Sequence, residues 1–284
     1  MTQRMLLAGI CAAAALALSG AASAGPVFLT GHDPDFHAQD SAGAQDLLRA
    51  GLNFVTGGTY ADTNPATKKF LWVESRVSPP GGHRIGENGL IDIGLTLGVQ
   101  YDRANAADLA TVNFSDYSAI VVASSFGGLL SQAELDELIA RKSDIAAYIN
   151  AGGGLMAMAE CAPTSGACLA DLLGPSPNLY GFLPVSVSSI FPTAPFHVTA
   201  FGAGAPFNLT DGDVNDPTHN SFGLIGGLNP IDLDSGAPQQ ATTLAGNVGI
   251  TDGGFVPEVP EPASLALIGL GLAGLGFLRR KRAA

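Results

Sequence analysis

Short apolar runs alternate with amphipathic stretches through the middle of the chain. Runs of four or five largely apolar residues are typical of strands that are buried on both faces. Four such runs are Val27–Thr30, Phe70–Val73, Ala119–Ala123 and Leu155–Ala159. Leucines at helical spacing predict a helix over Ala42–Leu52. Ser131 and Glu134 form a capping-box pattern, which predicts a helix that continues to Asn150 and stops at a run of glycines.

The order strand, helix, strand between Ala119 and Ala159 is that of a βαβ unit. Repeated units predict an α/β fold with a doubly wound, mostly parallel sheet. After Gly174 the chain becomes rich in Pro and Gly, and its apolar runs are Val185–Ile190 and Phe196–Phe201. We expect additional strands and long loops in that part. Ile91–Val99 is also apolar, but its pattern leaves helix and strand open.

One part of the body resembles a known fold family. Asp116–Val122, the loop Ser124–Gly128 and the run Gly152–Ala159 are similar to the class I glutamine amidotransferase-like fold. The resemblance covers about half of the body and implies a flavodoxin-like sheet. It implies little about activity, because such folds host many chemistries.

The N-terminus has the three parts of a secretory signal peptide. Arg4 is followed by an apolar run that extends to Leu18, and Ala22-Ser23-Ala24 comes next. This pattern predicts cleavage by signal peptidase between Ala24 and Gly25. Residues 1–24 are therefore interpreted as a signal, and the exported globular domain is expected over residues 25–256.

The C-terminus carries a second signal-like arrangement over residues 257–284. Val259, Pro260, Glu261 and Pro262 lead into the apolar stretch Ala263–Leu278, and the basic residues Arg279, Arg280, Lys281 and Arg282 follow. This order resembles the PEP-CTERM sorting signal of Gram-negative bacteria, also known as the ice-binding protein C-terminal motif. The resemblance implies export across the inner membrane, transient anchoring by a short transmembrane helix, and processing by an exosortase near Pro260–Pro262. A plain tail anchor is the alternative.

Composition and charge narrow the function classes. The 46% hydrophobic and 13% charged residues exclude a chain that is disordered through high charge. All 25 acidic residues lie between Gly25 and Glu261, and that stretch holds eight of the 13 basic residues, which gives it a net charge of −17. An acidic body of this kind excludes nucleic-acid binding and favours a divalent cation over polyanions. Simple solubility explains the same charge without any partner.

The loop after the first strand contains a possible metal site. His32, Asp33, Asp35 and His37 lie within six residues, and imidazole and carboxylate are ligands of zinc and its neighbours. The alternative is a solvated turn held by the Asp-Pro step, and it is favoured because the rest of the chain has no matching zinc spacing.

The loop after the Leu155–Ala159 run contains Glu160 and Cys161. The amidotransferase resemblance implies a cysteine nucleophile at this position, with His219 or His197 as a candidate base. Both glycines of the family pattern Gly-x-Cys-x-Gly are replaced here, and the His-x-Glu partner arrangement is absent. Cys161 and Cys168 are the two cysteines that remain after export, and an oxidising compartment favours a disulfide between them over a free thiol.

A third loop resembles the start of a calcium site. Asp211, Asp213 and Asn215 place oxygen donors at alternate positions. An EF-hand needs Gly and Glu where this chain has Asp216 and Phe222, so an Asx-rich turn is the favoured interpretation.

Two function hypotheses follow. The favoured one is a non-catalytic exported protein of the outer envelope or extracellular space that binds a carbohydrate, another small ligand or a cation, or associates with a matrix. The alternative is a hydrolase on an amidotransferase-like scaffold that uses Cys161 or a metal at His32 and His37.

Overall fold

Four apolar runs and the more polar segment Tyr101–Ala104 form the parallel half of one nine-stranded sheet. A computed structural model describes residues 24–75, 84–125, 129–158, 180–185, 187, 190–215 and 220–257. These residues belong to one unit, Ala24–Pro257. The strands are β1 (Gly25–Thr30), β2 (Phe70–Val73), β3 (Tyr101–Ala104), β4 (Ala119–Val122), β5 (Gly154–Met158), β6 (His197–Val198), β7 (Asn229–Leu233), β8 (Ala241–Thr251) and β9 (Gly254–Pro257).

The strand order joins a parallel half to an antiparallel half. The order is β3-β2-β4-β5-β1-β8-β7-β6, and β9 pairs with β8. Strands β3, β2, β4, β5 and β1 are parallel, whereas β8, β7, β6 and β9 are added antiparallel. The α/β class and the parallel core agree with the sequence prediction. The parallel strands have the order β3-β2-β4-β5-β1, with the first strand at the junction of the two halves. This order differs from the flavodoxin-like order 2-1-3-4-5.

The parallel strands are buried on both faces, as their continuous apolar runs predict. Every residue of β2, β4 and β5 is buried. One row across the sheet pairs Leu71 with Ile120, Ile120 with Leu155, and Leu155 with Val27.

Helices cover this sheet. They are α1 (Pro34–His37), α2 (Ala42–Val55), α3 (Glu87–Asp92), α4 (Ala106–Leu109), α5 (Gln132–Ala140), α6 (Lys142–Asn150), α7 (Ala200–Ala203) and α8 (Asp211–Val214), with a 3-10 turn at Phe114–Asp116. Gly51 of α2 lies so close to Met156 that a Cβ on it would be 2.8 Å from the methionine Cε.

The predicted helix from Ser131 to Asn150 is divided in two at Arg141. The capping box is present, since Glu134 accepts a hydrogen bond from the Ser131 amide at 3.0 Å. At the break, the Arg141 side chain contacts neighbouring elements. Arg141 donates to the carbonyl oxygens of Leu109 and Val112, both at 2.7 Å, and its guanidinium lies 4.2 Å from the Phe114 ring centroid.

The C-terminal part contains the expected extra strands, but one predicted run is shorter than expected, and the ambiguous segment Ile91–Val99 is resolved. In the run Phe196–Phe201, only His197–Val198 is strand, because Thr199 caps α7 by accepting from the Gly202 amide. Ile91–Val99 begins as the end of α3 and continues as turns, and Ile91 is 55% exposed. Within Val185–Ile190, residues 186, 188 and 189 lie outside the described residues, and Ile190 forms an isolated bridge with Ser221.

Among the described residues, no helix has the length and apolar character needed to cross a membrane. The predicted helix Ala263–Leu278 and both terminal signals lie outside the described residues, apart from Ala24, Gly25 and Pro257.

Candidate functional site

The carboxyl ends of the parallel strands gather buried acidic side chains at one edge of the sheet. Asp35 follows β1, Glu74 follows β2 directly, and Ser124 follows β4. All three are 0% exposed. Open α/β sheets bind their ligands at this edge, which makes the group the candidate site.

Asp35 is held against the end of β4. Its Oδ2 accepts hydrogen bonds from the Ser124 amide at 3.0 Å and from the Ser124 hydroxyl at 3.1 Å. Pro34 starts α1, where its missing N–H is not needed, and this places Asp35 in the first turn. The Asp-Pro step therefore aims one carboxylate inward rather than into solvent.

Glu74 is an acid of the site with a perturbed pKa. It accepts hydrogen bonds from Trp72 Nε1 at 2.8 Å, from the Gly86 amide at 2.6 Å and from the Glu87 amide at 3.1 Å. Burial raises the pKa of Glu74 to about 7, the charge of Asp35 adds to the rise, and the three hydrogen bonds oppose it. Glu74 is thus a carboxyl group that exchanges its proton near neutral pH.

Gly86 allows the two carboxylates to approach each other. A Cβ on Gly86 would lie 2.5 Å from Asp35 Oδ2 and 3.1 Å from Glu74 Oε1. Asp35 Oδ2 and Glu74 Oε1 therefore both lie close to the Cα of Gly86, where a side chain would not fit. Like charges this close disfavour ionisation of both acids at once.

A third buried acid, Glu87, lies at the start of α3. Glu87 forms an ion pair with Arg103 and accepts a hydrogen bond from the Tyr101 hydroxyl at 2.9 Å. Burial, together with Glu87, raises the pKa of Tyr101. This arrangement compensates the charge of Glu87 with the adjacent guanidinium of Arg103.

His32 faces the antiparallel half of the sheet. Its Nε2 lies 3.0 Å from Asp232 Oδ2, and the same oxygen accepts from the Thr242 hydroxyl. His32 Nδ1 is buried and has no hydrogen-bond partner among the described residues. Since Asp232 is 200 positions away in the chain, only the register of β7 and β8 brings it to His32.

The predicted metal ligands of the first loop point in three directions. His32 contacts Asp232, Asp35 contacts Ser124, and Asp33 Oδ2 lies 3.4 Å from His37 Nε2. Within the described ranges, no three His, Cys, Asp or Glu side chains are grouped so that they could hold a metal ion. The prediction of a solvated turn is wrong in one respect, because His32, Asp33 and Asp35 are all buried.

The predicted calcium loop forms the short helix α8. Asp211 accepts from the Val198 amide at 2.8 Å and contacts His197 Nδ1 at 3.0 Å, which holds the pKa of Asp211 below its usual value. Asp213 caps the same helix through Thr210, and Asn215 bonds to the backbone of Phe196. Each of the three donors thus has a structural partner.

The comparison with protein families concerns the segment that follows the folded unit. Residues 258–282 match the PEP-CTERM protein-sorting motif. The PEP-CTERM match includes the residues quoted for the sorting signal, from Val259 to Arg282. It implies export and membrane-associated sorting by an exosortase.

The comparisons found no match for the body of the chain. No curated protein and no solved structure matches the chain. The amidotransferase-like resemblance of the body therefore has no support beyond its own residues. Glu160, Cys161, Cys168 and His219 lie outside the described residues, so the thiol and disulfide hypotheses stay predictions.

Sequence reasoning did not assign a role to Glu74, Ser124 or Asp232. A signal for the first two was present, because each comes just after an apolar run that predicts a parallel strand. Asp232 had no local signal, since its partner is fixed by long-range antiparallel pairing.

Proposed function

We propose that this chain is an exported protein, sorted by an exosortase, whose α/β body acts as a binding module in the outer envelope or outside the cell. The observation that carries the proposal is the PEP-CTERM match at residues 258–282, directly after the folded unit that ends at Pro257. The predicted signal peptide ends where that unit begins, at Ala24. The order of leader, folded body and sorting motif is that of an exosortase substrate.

The candidate site supports binding over catalysis. Asp35 and Glu74 are fully buried and accept hydrogen bonds from the protein's own backbone. A general acid or base needs to reach the proton of a substrate. In the described part of the chain these carboxylates hold α1, α3 and β4 together, which makes them a rigid frame for the loops around them.

The test is the intact mass of the protein recovered from a Gram-negative host with an exosortase, compared with the same host after deletion of that enzyme. We expect a mature chain that starts at Gly25 and ends near Pro260–Pro262 only where the exosortase is present. Glu261→Gln should retain the tail, whereas the matched change Glu258→Gln outside the Pro-Glu-Pro sequence should not. An intact C-terminus in the exosortase-positive host would overturn the sorting part of the proposal.

A second candidate function is hydrolysis on an amidotransferase-like scaffold. One observation favours it: Glu74, with a pKa of about 7, lies at the edge of the sheet where β5 ends and Glu160 and Cys161 follow in the sequence. Alkylation in the same mass measurement separates the two functions. Cysteines that react only after reduction support the Cys161–Cys168 disulfide and the binding role, whereas immediate alkylation of Cys161 supports the thiol enzyme.

A further inference from the structure

A cleft of about 300 Å³ lies between helix α2 and the segment Pro206–Asp213, away from the buried carboxylates. Its floor is apolar, formed by Ala50, Phe207 and Leu209. Its rim is polar. The rim residues are Asp46, Arg49, Asn53, Tyr60, Asn208 and Asp213. An apolar floor with a few convergent polar groups is the usual composition of a small-molecule site, and the volume lies at the lower end of the range for such sites.

The two walls of this cleft are fixed by close packing. Phe207 contacts the rings of Phe54 and Phe201, with centroids 5.0 Å and 5.4 Å away. At the other end, a Cβ on Gly43 of α2 would lie only 2.5 Å from the carbonyl oxygen of Gly212. The walls therefore neither collapse nor separate freely, and a preformed cleft lowers the entropy cost of binding.

The charged groups on the rim are already engaged within the protein. Arg49 donates to Asp46 at 3.0 Å and to Gln45 at 3.2 Å. Asp213 Oδ2 accepts from the Thr210 amide and hydroxyl at 2.8 Å and 2.9 Å. The polar groups of the rim that a ligand could contact are therefore mostly neutral, and the net charge of the rim is negative.

Three neutral groups on the rim remain available. Within the described residues, the side chains of Asn53 and Tyr60 make no hydrogen bond, and the Asn208 amide has one long contact of 3.5 Å to the Pro206 carbonyl. Asn208 has φ +54°, in the left-handed region that Asn tolerates better than other non-glycine residues. This backbone places an exposed carboxamide at the rim.

We infer that this cleft binds a neutral saccharide. A carboxamide and a phenol each donate and accept hydrogen bonds, as sugar hydroxyls do, so Asn53, Tyr60 and Asn208 complement a polyhydroxylated ligand. The floor formed by Ala50, Phe207 and Leu209 complements the C–H face of a sugar ring. The residual negative charge of Asp213 disfavours acidic sugars. The inference rests on the proposed binding role and names its ligand class.

A larger groove of about 760 Å³ beside α6 does not have this chemistry. Its central amide, Asn150, donates to the Ile250 carbonyl and accepts from the Ile250 amide. It is therefore a structural link to β8 and not a free recognition group.

The test is ligand-observed saturation-transfer NMR on the full-length protein in a detergent without a sugar headgroup. The probes are glucose, maltose, cellobiose and N-acetylglucosamine, with glucuronate as the acidic comparator. We expect transfer to at least one neutral sugar at millimolar concentration and a weaker signal from glucuronate. Tyr60→Phe and Asn208→Gly should each weaken binding about 2- to 12-fold, the effect of one neutral hydrogen bond.

The variants are chosen so that folding is preserved. Tyr60→Phe removes only a hydroxyl, and Asn208→Gly keeps the positive φ while it removes the carboxamide. Asn247→Ala changes an exposed amide on β8 that does not line the cleft, and it should leave affinity unchanged.

Two results would overturn the inference: no transfer from any of the four neutral sugars, or an affinity that is the same in wild type, Tyr60→Phe and Asn208→Gly. Neither result bears on sorting. A chain that is processed correctly but binds no neutral sugar would contradict only the inference about the cleft. A chain that binds sugar but keeps its C-terminal tail would contradict the sorting part of the proposed function.

Discussion

At the scale of single residues, the stability of the protein depends on the proton that Glu74 holds. Its pKa is about 7 in the folded chain against an ordinary value of 4.5, so between these values the folded state binds more protons than the unfolded state. The stabilising contribution is complete below pH 4.5 and is lost as the pH rises through 7. A shift of this size corresponds to about 3 kcal/mol.

We expect the free energy of unfolding in urea to fall by about 2.5 kcal/mol more between pH 5 and pH 8 in the wild type than in Glu74→Gln. The glutamine carries no charge at either pH, so Asp35 has no like charge to face. Glu137→Gln on helix α5 is the control, and it should retain the wild-type slope. Equal slopes in wild type and Glu74→Gln would show that Glu74 is not the titrating group.

The sequence locates the residues of this site better than it assigns their contacts. Asp33 and Asp35 stand out from the sequence because two acids and two histidines cluster after a strand. The contacts that Asp35 makes depend on Ser124 and Gly86, which are far away in the chain. Hydrogen-bond partners at such separations leave no periodic signal, and the His32–Asp232 contact is the clearest case.

At the scale of elements, local patterns predict the parallel half well and the antiparallel half poorly. Strand β4, the capped helix α5 and strand β5 are visible because apolar runs and a capping box are local signals. Strand β8 is missed although it is the longest in the sheet, because its 11 residues are mostly Ala, Thr and Gly. Small residues are needed there, since a Cβ on Gly246 would lie 2.7 Å from the Gly227 carbonyl oxygen.

The boundary between α5 and α6 carries one side chain with several contacts to neighbouring elements. Arg141 joins the helices to the loop after α4 through two carbonyl oxygens and the Phe114 ring. We expect Arg141→Ala to destabilise the protein by about 2–3 kcal/mol, because charged hydrogen bonds and a cation–π contact are lost together. Lys142→Ala, at the next and exposed position, should cost less than about 0.5 kcal/mol. Chemical denaturation measures both, and a similar midpoint for the two variants would contradict the assigned role of Arg141.

At the scale of the whole molecule, strand β1 connects the two halves of the sheet. It pairs in parallel with β5 on one side and antiparallel with β8 on the other. Gly25 starts this strand, and a Cβ there would lie 2.1 Å from the Gly153 carbonyl oxygen. Gly25, the residue directly after the predicted cleavage site, is therefore already part of the sheet. Cleavage further along the chain would remove residues of β1 from the sheet.

Chains that begin at Gly25 and at Leu29 test this arrangement. The first keeps all of β1, whereas the second loses Gly25–Phe28, including the pairs of Val27 with Leu155 and of Phe28 with Ala245. Without these residues, most of the edge of β5 and most of the edge of β8 lose their pairing partner. No other described strand lies between β5 and β8. We expect the shorter chain to lack a cooperative unfolding transition by circular dichroism, because only Leu29 and Thr30 are left to pair with both the parallel and the antiparallel half. A cooperative transition of the shorter chain at the same temperature as the longer one would contradict this expectation. It would mean that contacts other than those of β1 hold the two halves of the sheet together.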